Sequence, residues 1–217
     1  MQTPTPVQEP GQNRRMNVVK NTFTIHNPAT GEKVGEYPQM GPKEVAETVA
    51  AARRAFRTWS KTSFADRREI LLNAASHLAE NAEHYADIIR SETGKTQVDA
   101  ILAEIFPTCD LLHYYAKNAE KSLRPVKVPG ITVLPGRKAW YTFEPRGVIG
   151  IIAPWNYPFS LASGPVISAL ASGNTAVLKP SSQTTASGMI LQEIFRASGL
   201  PEDALQVITG SGSVTGK

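Results

Sequence analysis

A chain of 217 residues, 41% hydrophobic and 19% charged, is long enough to bury a core and too apolar to be disordered or fibrous. Its 23 basic against 19 acidic residues give a formal charge of +4, but the basic residues are scattered. Arg14-Arg15, Arg53-Arg54 and Arg67-Arg68 are isolated pairs without interleaved aromatics, which argues for solvated helix faces and against nucleic-acid binding. A single cysteine, Cys109, excludes an internal disulfide framework and suits a reducing cytoplasm. Apolar runs such as that from Val148 to Ala153 are too short to span a bilayer, and no charged-then-apolar signal opens the chain.

Residues 1–20, proline-bearing and without hydrophobic pattern, read as a flexible arm. A segment over 21–122 follows, built from a hairpin and helices. Alternating residues flank Asn27-Pro28-Ala29-Thr30-Gly31, a turn signal that predicts the hairpin. Pro42 opens a helix where its missing N–H costs nothing, and Val45, Val49, Ala52, Phe56 and Trp59 form its apolar stripe. Ser63 with Asp66 makes a capping box for a second helix running to about Asn81, and a third ends at Gly94. Residues 97–122 are helical in pattern, with a kink or break expected at Pro107.

Over 123–145 the texture changes. Pro125, Pro129, Pro135 and Pro145 punctuate alternating runs, Ile131-Thr132-Val133 and Trp140-Tyr141-Thr142-Phe143, that predict extended strands and a candidate oligomerisation arm. From 146 to 217 the pattern is β, α, β, α, β. Val148 to Ala153 reads as a parallel strand buried on both faces, followed by a helix over about 160–171. A strand at Thr175 to Leu178, a helix over 185–198 and a strand at Leu205 to Ile208 complete the unit. The fold class is α/β: a partial, Rossmann-like doubly wound parallel sheet preceded by a helical segment and a strand arm.

Right-handed crossovers bring all three strand ends to one edge, where open α/β sheets bind ligands. Those ends run into Pro154-Trp155-Asn156-Tyr157-Pro158, Lys179-Pro180-Ser181-Ser182 and Thr209-Gly210-Ser211-Gly212-Ser213. Taken singly, each has an ordinary structural explanation as packing, a solvated charge or a turn. Together they have chemistry. Gly210 and Gly212 would let backbone approach a phosphate ahead of a helix. Lys179 would bring positive charge to ribose hydroxyls or a phosphate, and Asn156 an amide donor for a developing oxyanion.

The run GVIGIIAPWNYPFSLASGPVISALASGNTAVLKPSSQTTASG, with ETGK at 92–95, resembles the aldehyde dehydrogenase superfamily, and the resemblance covers nearly everything after the arm. It implies an NAD(P)-dependent oxidation of an aldehyde to a carboxylate. It also implies that Asn156 helps bind the oxyanion of a thiohemiacetal, that Ile152 and Trp155 line the nicotinamide side, and that Lys179 touches the adenosine ribose. Gly212 would lie by the adenine and pyrophosphate. Ala153, Pro154, Pro180, Ser181 and Gly210 complete the expected cofactor-binding set. PWNYP followed by KPSSQT is similar to the succinate-semialdehyde dehydrogenase branch. Many members that prefer NAD carry a glutamate where this chain has Ser182. Without that acid a 2′-phosphate is not repelled, so the resemblance implies that NADP is tolerated or preferred.

The family's nucleophilic cysteine and general-base glutamate are expected beyond Lys217, so the chain alone is expected to be inactive, to be part of a longer polypeptide, and to fold poorly or need a partner. Cys109 lies among Ile105, Phe106, Leu111 and Leu112 and reads as a buried structural thiol. His26, His77, His84 and His113 lack metal-ligand spacing, and His77 and His84 read as surface residues. The expected partners are a small aldehyde and further copies of the chain, with no nucleic acid and no membrane. A short non-catalytic nucleotide-binding or oligomerisation protein is the alternative, and a reductase of acyl phosphates or acyl-CoA is disfavoured by Asn156.

Overall fold

The computed structural model describes residues 21–129 and 137–215. The predicted N-terminal arm and the run Ile131-Thr132-Val133 lie outside the described residues.

The predicted hairpin forms as β1 (Thr22–His26) and β2 (Lys33–Pro38), paired antiparallel. Its turn is held by Asn27, whose Oδ1 accepts from the Ala29 N–H at 2.8 Å and the Thr30 N–H at 3.3 Å. An Asx side chain mimicking backbone in this way is why asparagine favours turns. Helix α1 (Pro42–Trp59) begins at the expected proline and buries Ala52 and Trp59. In α2 (Phe64–Glu80) the Ser63 hydroxyl accepts from the Asp66 N–H, and the Asp66 carboxylate from the Ser63 N–H, both at 3.1 Å. Helix α3 (Ala82–Thr93) stops at Gly94, whose φ of +73° is the left-handed conformation that favours glycine.

Pro107 does not break the next helix. Helix α4 (Gln97–Ala100) widens into a π turn over Ile101–Ile105 and continues as α5 (Phe106–Leu123). The wide turn absorbs the proline: the Phe106 N–H reaches back to the Ile101 carbonyl, five residues upstream, and Pro107 falls in the first turn of α5.

Strands β3 (Val126–Val128) and β4 (Ala139–Tyr141) pair antiparallel and stand largely exposed. The remaining elements are β5 (Val148–Ile152), α6 (Ser160–Ala171), β6 (Thr175–Lys179), α7 (Thr185–Ala197), β7 (Leu205–Val207) and a single turn, α8 (Gly212–Thr215). Strands β5, β6 and β7 lie side by side in that order, all parallel. Asn174 staples the start of this sheet, its Oδ1 accepting from the Arg146 and Gly147 N–H groups at 2.6 and 3.0 Å.

Every residue of β6 is buried, as expected of a central strand covered on both faces. Strand β5 departs from the prediction. Ile151 points into the main core and is buried, while Ile152 points to the opposite face, over the open end of the sheet, and is 78% exposed. One face of the sheet carries the main core, where Leu71 and Leu78 of α2, Leu112 of α5, Ile167 and Leu170 of α6, and Phe195 of α7 are all buried. On the other face α1 packs Ala52 against Val177 and Ile208.

Candidate functional site

The parallel register fixes what meets at the sheet's carboxyl edge. Ile152 is paired with Lys179 and Leu178 with Val207, and the ladder continues past the strands. The Ala153 N–H donates to the Lys179 carbonyl at 3.0 Å, and the Ile208 N–H to the Leu178 carbonyl at 2.9 Å. All three loops therefore leave from one end.

Two concavities open there. The first, about 550 Å³, is lined by Trp155, Asn156 and Ser182, by Ile25 and His26 of the hairpin, and by Glu92 and Lys95. The second, about 420 Å³, is a shelf on the sheet face over Gly150, Ile152, Val177, Lys179 and Ile208, flanked by Arg53 of α1. The expected residues thus divide: Trp155, Asn156 and Ser182 share one hollow, Ile152 and Lys179 the other.

Trp155, 60% exposed, and Ile152 are large apolar groups held in solvent at the rim. Asn156 and Pro154 are exposed, and Ala153 is buried at the strand end. Lys179 is only 8% exposed, and its ammonium donates to the Pro180 carbonyl at 3.2 Å. Burial holds its pKa below the usual lysine range. An ammonium has three donors, so such a group, partly desolvated over an open shelf, has donors to spare for an anion or hydroxyls. The Ser181 Oγ shapes the second loop by accepting from the Gln183 N–H at 3.2 Å.

The two glycines differ. A Cβ on Gly212 would meet nothing within 4 Å, so backbone there is free for close approach. A Cβ on Gly210, whose φ is +141°, would collide with the Gln39 and Thr215 side chains. Packing against these two side chains, with the positive φ, by itself requires glycine at 210. Gln39 is itself a missed member of this corner: its Nε2 donates to the Thr215 Oγ1 at 2.8 Å and its Oε1 accepts from the Ser211 N–H at 3.1 Å.

Two buried carboxylates stand behind the rim. Glu92 accepts from the Ala186 and Ser187 N–H groups at 2.8 and 2.7 Å and from the Ser187 hydroxyl at 2.8 Å, at the start of α7. Glu104 accepts from the Phe159 and Ser160 N–H groups, both at 3.0 Å, at the start of α6. Neither helix caps itself with its own N-cap side chain. The sequence carried a sign of their burial but none of their partners: Glu104 interrupts the apolar run Ile101 to Phe106, and Glu92 lies three residues after Ile89 on the apolar stripe of α3.

Other expected groups sit apart. Cys109 is half-buried, its Sγ 4.0 Å from the Ala75 carbonyl, and burial pushes its thiol pKa up, which disfavours the nucleophilic thiolate. His77 is half-buried and not a free surface residue: its Nε2 lies 3.0 Å from the Tyr85 hydroxyl, which donates to Glu193 at 3.2 Å.

The residues at the edge fit a dinucleotide: an open backbone at Gly150 and Gly212, a sheltered lysine between them, and exposed apolar groups at the rim. A sequence profile of the aldehyde dehydrogenase family matches residues 16–217. An NADP-dependent glyceraldehyde-3-phosphate dehydrogenase of Streptococcus equinus is 36% identical over 200 residues, which cover 91% of this chain and 42% of that protein. A Mycolicibacterium smegmatis protein named for succinate-semialdehyde dehydrogenase activity with NADP is 37% identical over 188 residues, covering 86% and 36%. A betaine aldehyde dehydrogenase from Staphylococcus aureus, solved with NAD+, superimposes with a TM-score of 0.85 at 29% identity, covering 92% of this chain and 40% of that one. The chain therefore spans about two-fifths of the length of these relatives, 36–42%. It belongs to the aldehyde dehydrogenase family.

Proposed function

We propose that this chain supplies the dinucleotide-binding and oxyanion-binding part of an NAD(P)-dependent oxidation of an aldehyde to a carboxylate. The observation that carries the reading is the convergence of Asn156, Lys179 and the loop after β7 at one sheet edge, beside open backbone and a sheltered cation. A nicotinamide dinucleotide, when bound, supplies the hydride acceptor. Lys179 holds its ribose or phosphate, Ile152 and Trp155 exclude water from the reacting end, and the Asn156 amide stabilises negative charge on the substrate oxygen. Ile152, Ala153, Pro154, Trp155, Pro180, Ser181, Ser182 and Gly212 form the rest of the cofactor surface.

Cys109 does not supply the nucleophile in this reading: it lines neither hollow, and burial pushes its thiol pKa up. Relatives named for NADP, together with Ser182 in place of an acid, favour NADP over NAD. Succinate semialdehyde is the proposed substrate, resting on the PWNYP and KPSSQT segments and on one relative's name.

A cytoplasmic homo-oligomer fits the single cysteine and the exposed Val126, Val128 and Tyr141, which the antiparallel register puts on one face of β3 and β4, an apolar face suited to another copy. Among the described residues no helix is long and apolar enough to cross a membrane. The test is twofold. Calorimetric titration of the chain with NADP+ and NAD+ should give saturable binding, tighter for NADP+. The polypeptide encoded by the complete reading frame should reduce NADP+ only when an aldehyde is added. Absence of binding to either dinucleotide overturns the reading.

A further inference from the structure

The segment between β5 and α6 carries Trp155 and Asn156, and it is tied down at both ends. At one end the Ala153 N–H donates to the Lys179 carbonyl. At the other, the first N–H groups of α6 donate to a carboxylate that belongs to neither element. Glu104 is fully buried in the π turn, with one oxygen accepting from Phe159 and Ser160 and the other from the Lys95 ammonium. The same ammonium lies 4.0 Å from the centre of the Tyr157 ring, the residue next to Asn156. The π turn is fastened in its turn to α6: the Glu104 carbonyl accepts from the Thr108 hydroxyl at 2.7 Å, and Thr108 and Ser163 hydroxyls lie 2.9 Å apart.

We propose that Glu104, locked by Lys95, is a positioning residue that sets the placement of Trp155 and Asn156. This rests on the proposed dinucleotide site and adds to it the device that holds its reacting end. A carboxylate with no exposure needs partners for its charge, and among the described residues its donors are Lys95 and the amides that end the Asn156 loop. No residue of the loop caps α6, since Phe159 occupies its N-cap position without a side-chain hydrogen bond. The wide turn ahead of Pro107 also acquires a role: it lets a lone acid in an apolar run reach the start of another helix. Neither Glu104 nor its turn lines either hollow, so its effect runs through the loop it holds.

The test compares E104A, E104Q, K95M and L112A in the chain, reading amide exchange at Phe159 and Ser160, NADP+ affinity and melting temperature. Leu112 is buried in the helical core and serves as a stability-matched control. E104A should speed exchange at both amides and weaken NADP+ binding about tenfold, the loss expected when a charge-assisted hydrogen bond is removed. E104Q, which still presents an oxygen to the amides, should recover most of that affinity. K95M should fall between the two, and because Lys95 also lines the first hollow, its faster amide exchange at Phe159 and Ser160 without dinucleotide, which no direct ligand contact explains, carries the test if E104A does not fold. L112A should lower the melting temperature with affinity unchanged. Positioning is overturned if E104A and K95M leave exchange and affinity as they are, or weaken binding no more than L112A does at equal loss of stability. If the unmodified chain binds neither NADP+ nor NAD+, the functional reading fails and takes the positioning role with it. Unchanged variants on a chain that does bind sink the positioning role alone.

Discussion

Glu92 and Ser187 meet across 95 positions of sequence, the carboxylate accepting from both the N–H and the hydroxyl of the serine. The contact joins the end of α3 to the start of α7, directly behind the loop that carries Lys179 and Ser182. Burial pushes the Glu92 pKa above its ordinary 4.5, an effect that the hydrogen bonds from Ser187 and Ala186 only partly offset. The folded protein therefore keeps this proton to higher pH than the unfolded chain does. The stability that Glu92 contributes is fully present below about 4.5 and is lost as pH rises through the raised value. E92Q cannot titrate, so the difference in stability between the native chain and E92Q should shrink with rising pH across that window. Thermal melts at closely spaced pH check this, and a difference that stays flat or grows with pH refutes the assignment.

Gly188 lets α7 lie against the Lys179 loop. A Cβ at this position would collide with the Pro180 ring, which is itself buried and cannot swing aside. Gly188→Ala should destabilise the chain by about 1–3 kcal/mol, the range for overpacking a closed site, and should also weaken NADP+ binding by displacing Pro180. Denaturant unfolding and calorimetry measure the two effects. A variant as stable as the native chain contradicts the packing.

Arg67 is the clasp between α2 and the end of α6. Only 6% exposed, it donates to the Ala171 carbonyl at 3.1 Å and to the Thr62 carbonyl at 2.6 Å, and it stacks 4.4 Å from the centre of the Phe64 ring. Arg67→Ala leaves the buried Ala171 carbonyl and the half-buried Thr62 carbonyl without this donor and should cost about 2–3 kcal/mol in urea unfolding. Being remote from the strand ends, it should leave dinucleotide affinity unchanged.

Ser182 tests the choice of cofactor. Ser182→Glu places a negative charge where a 2′-phosphate is proposed to lie, and NADP+ binding should fall by about tenfold or more while NAD+ binding holds or improves. Lys179→Met should weaken both dinucleotides. Equal loss of NADP+ and NAD+ in S182E would show that residue 182 does not face the ribose.

Periodicity made the helices and the parallel unit legible, because apolar stripes and turn residues are local properties of Val45 to Trp59 or of Thr175 to Leu178. The strand-end loops were legible for the same reason, since parallel strands necessarily deliver them to one edge. What the sequence did not disclose was long-range. Nothing local says that Glu92 and Glu104 cap helices far along the chain, or that Gln39 fills the space beside Gly210. The open face of β5 at Ile152 was hidden too, because an apolar run does not report which of its strand's faces is covered. Pro107 misled for a related reason: its backbone conflict is resolved by the preceding π turn, which has no compositional signature.

The most direct test of a shared strand-end site is amide chemical-shift mapping of the chain during NADP+ titration. Perturbations should concentrate at 152–156, 179–184 and 208–215, with the Trp155 indole among the most affected signals. Perturbations confined to the helical layer around Leu112, or the absence of any saturable shift at the three loops, would contradict a dinucleotide site at this edge.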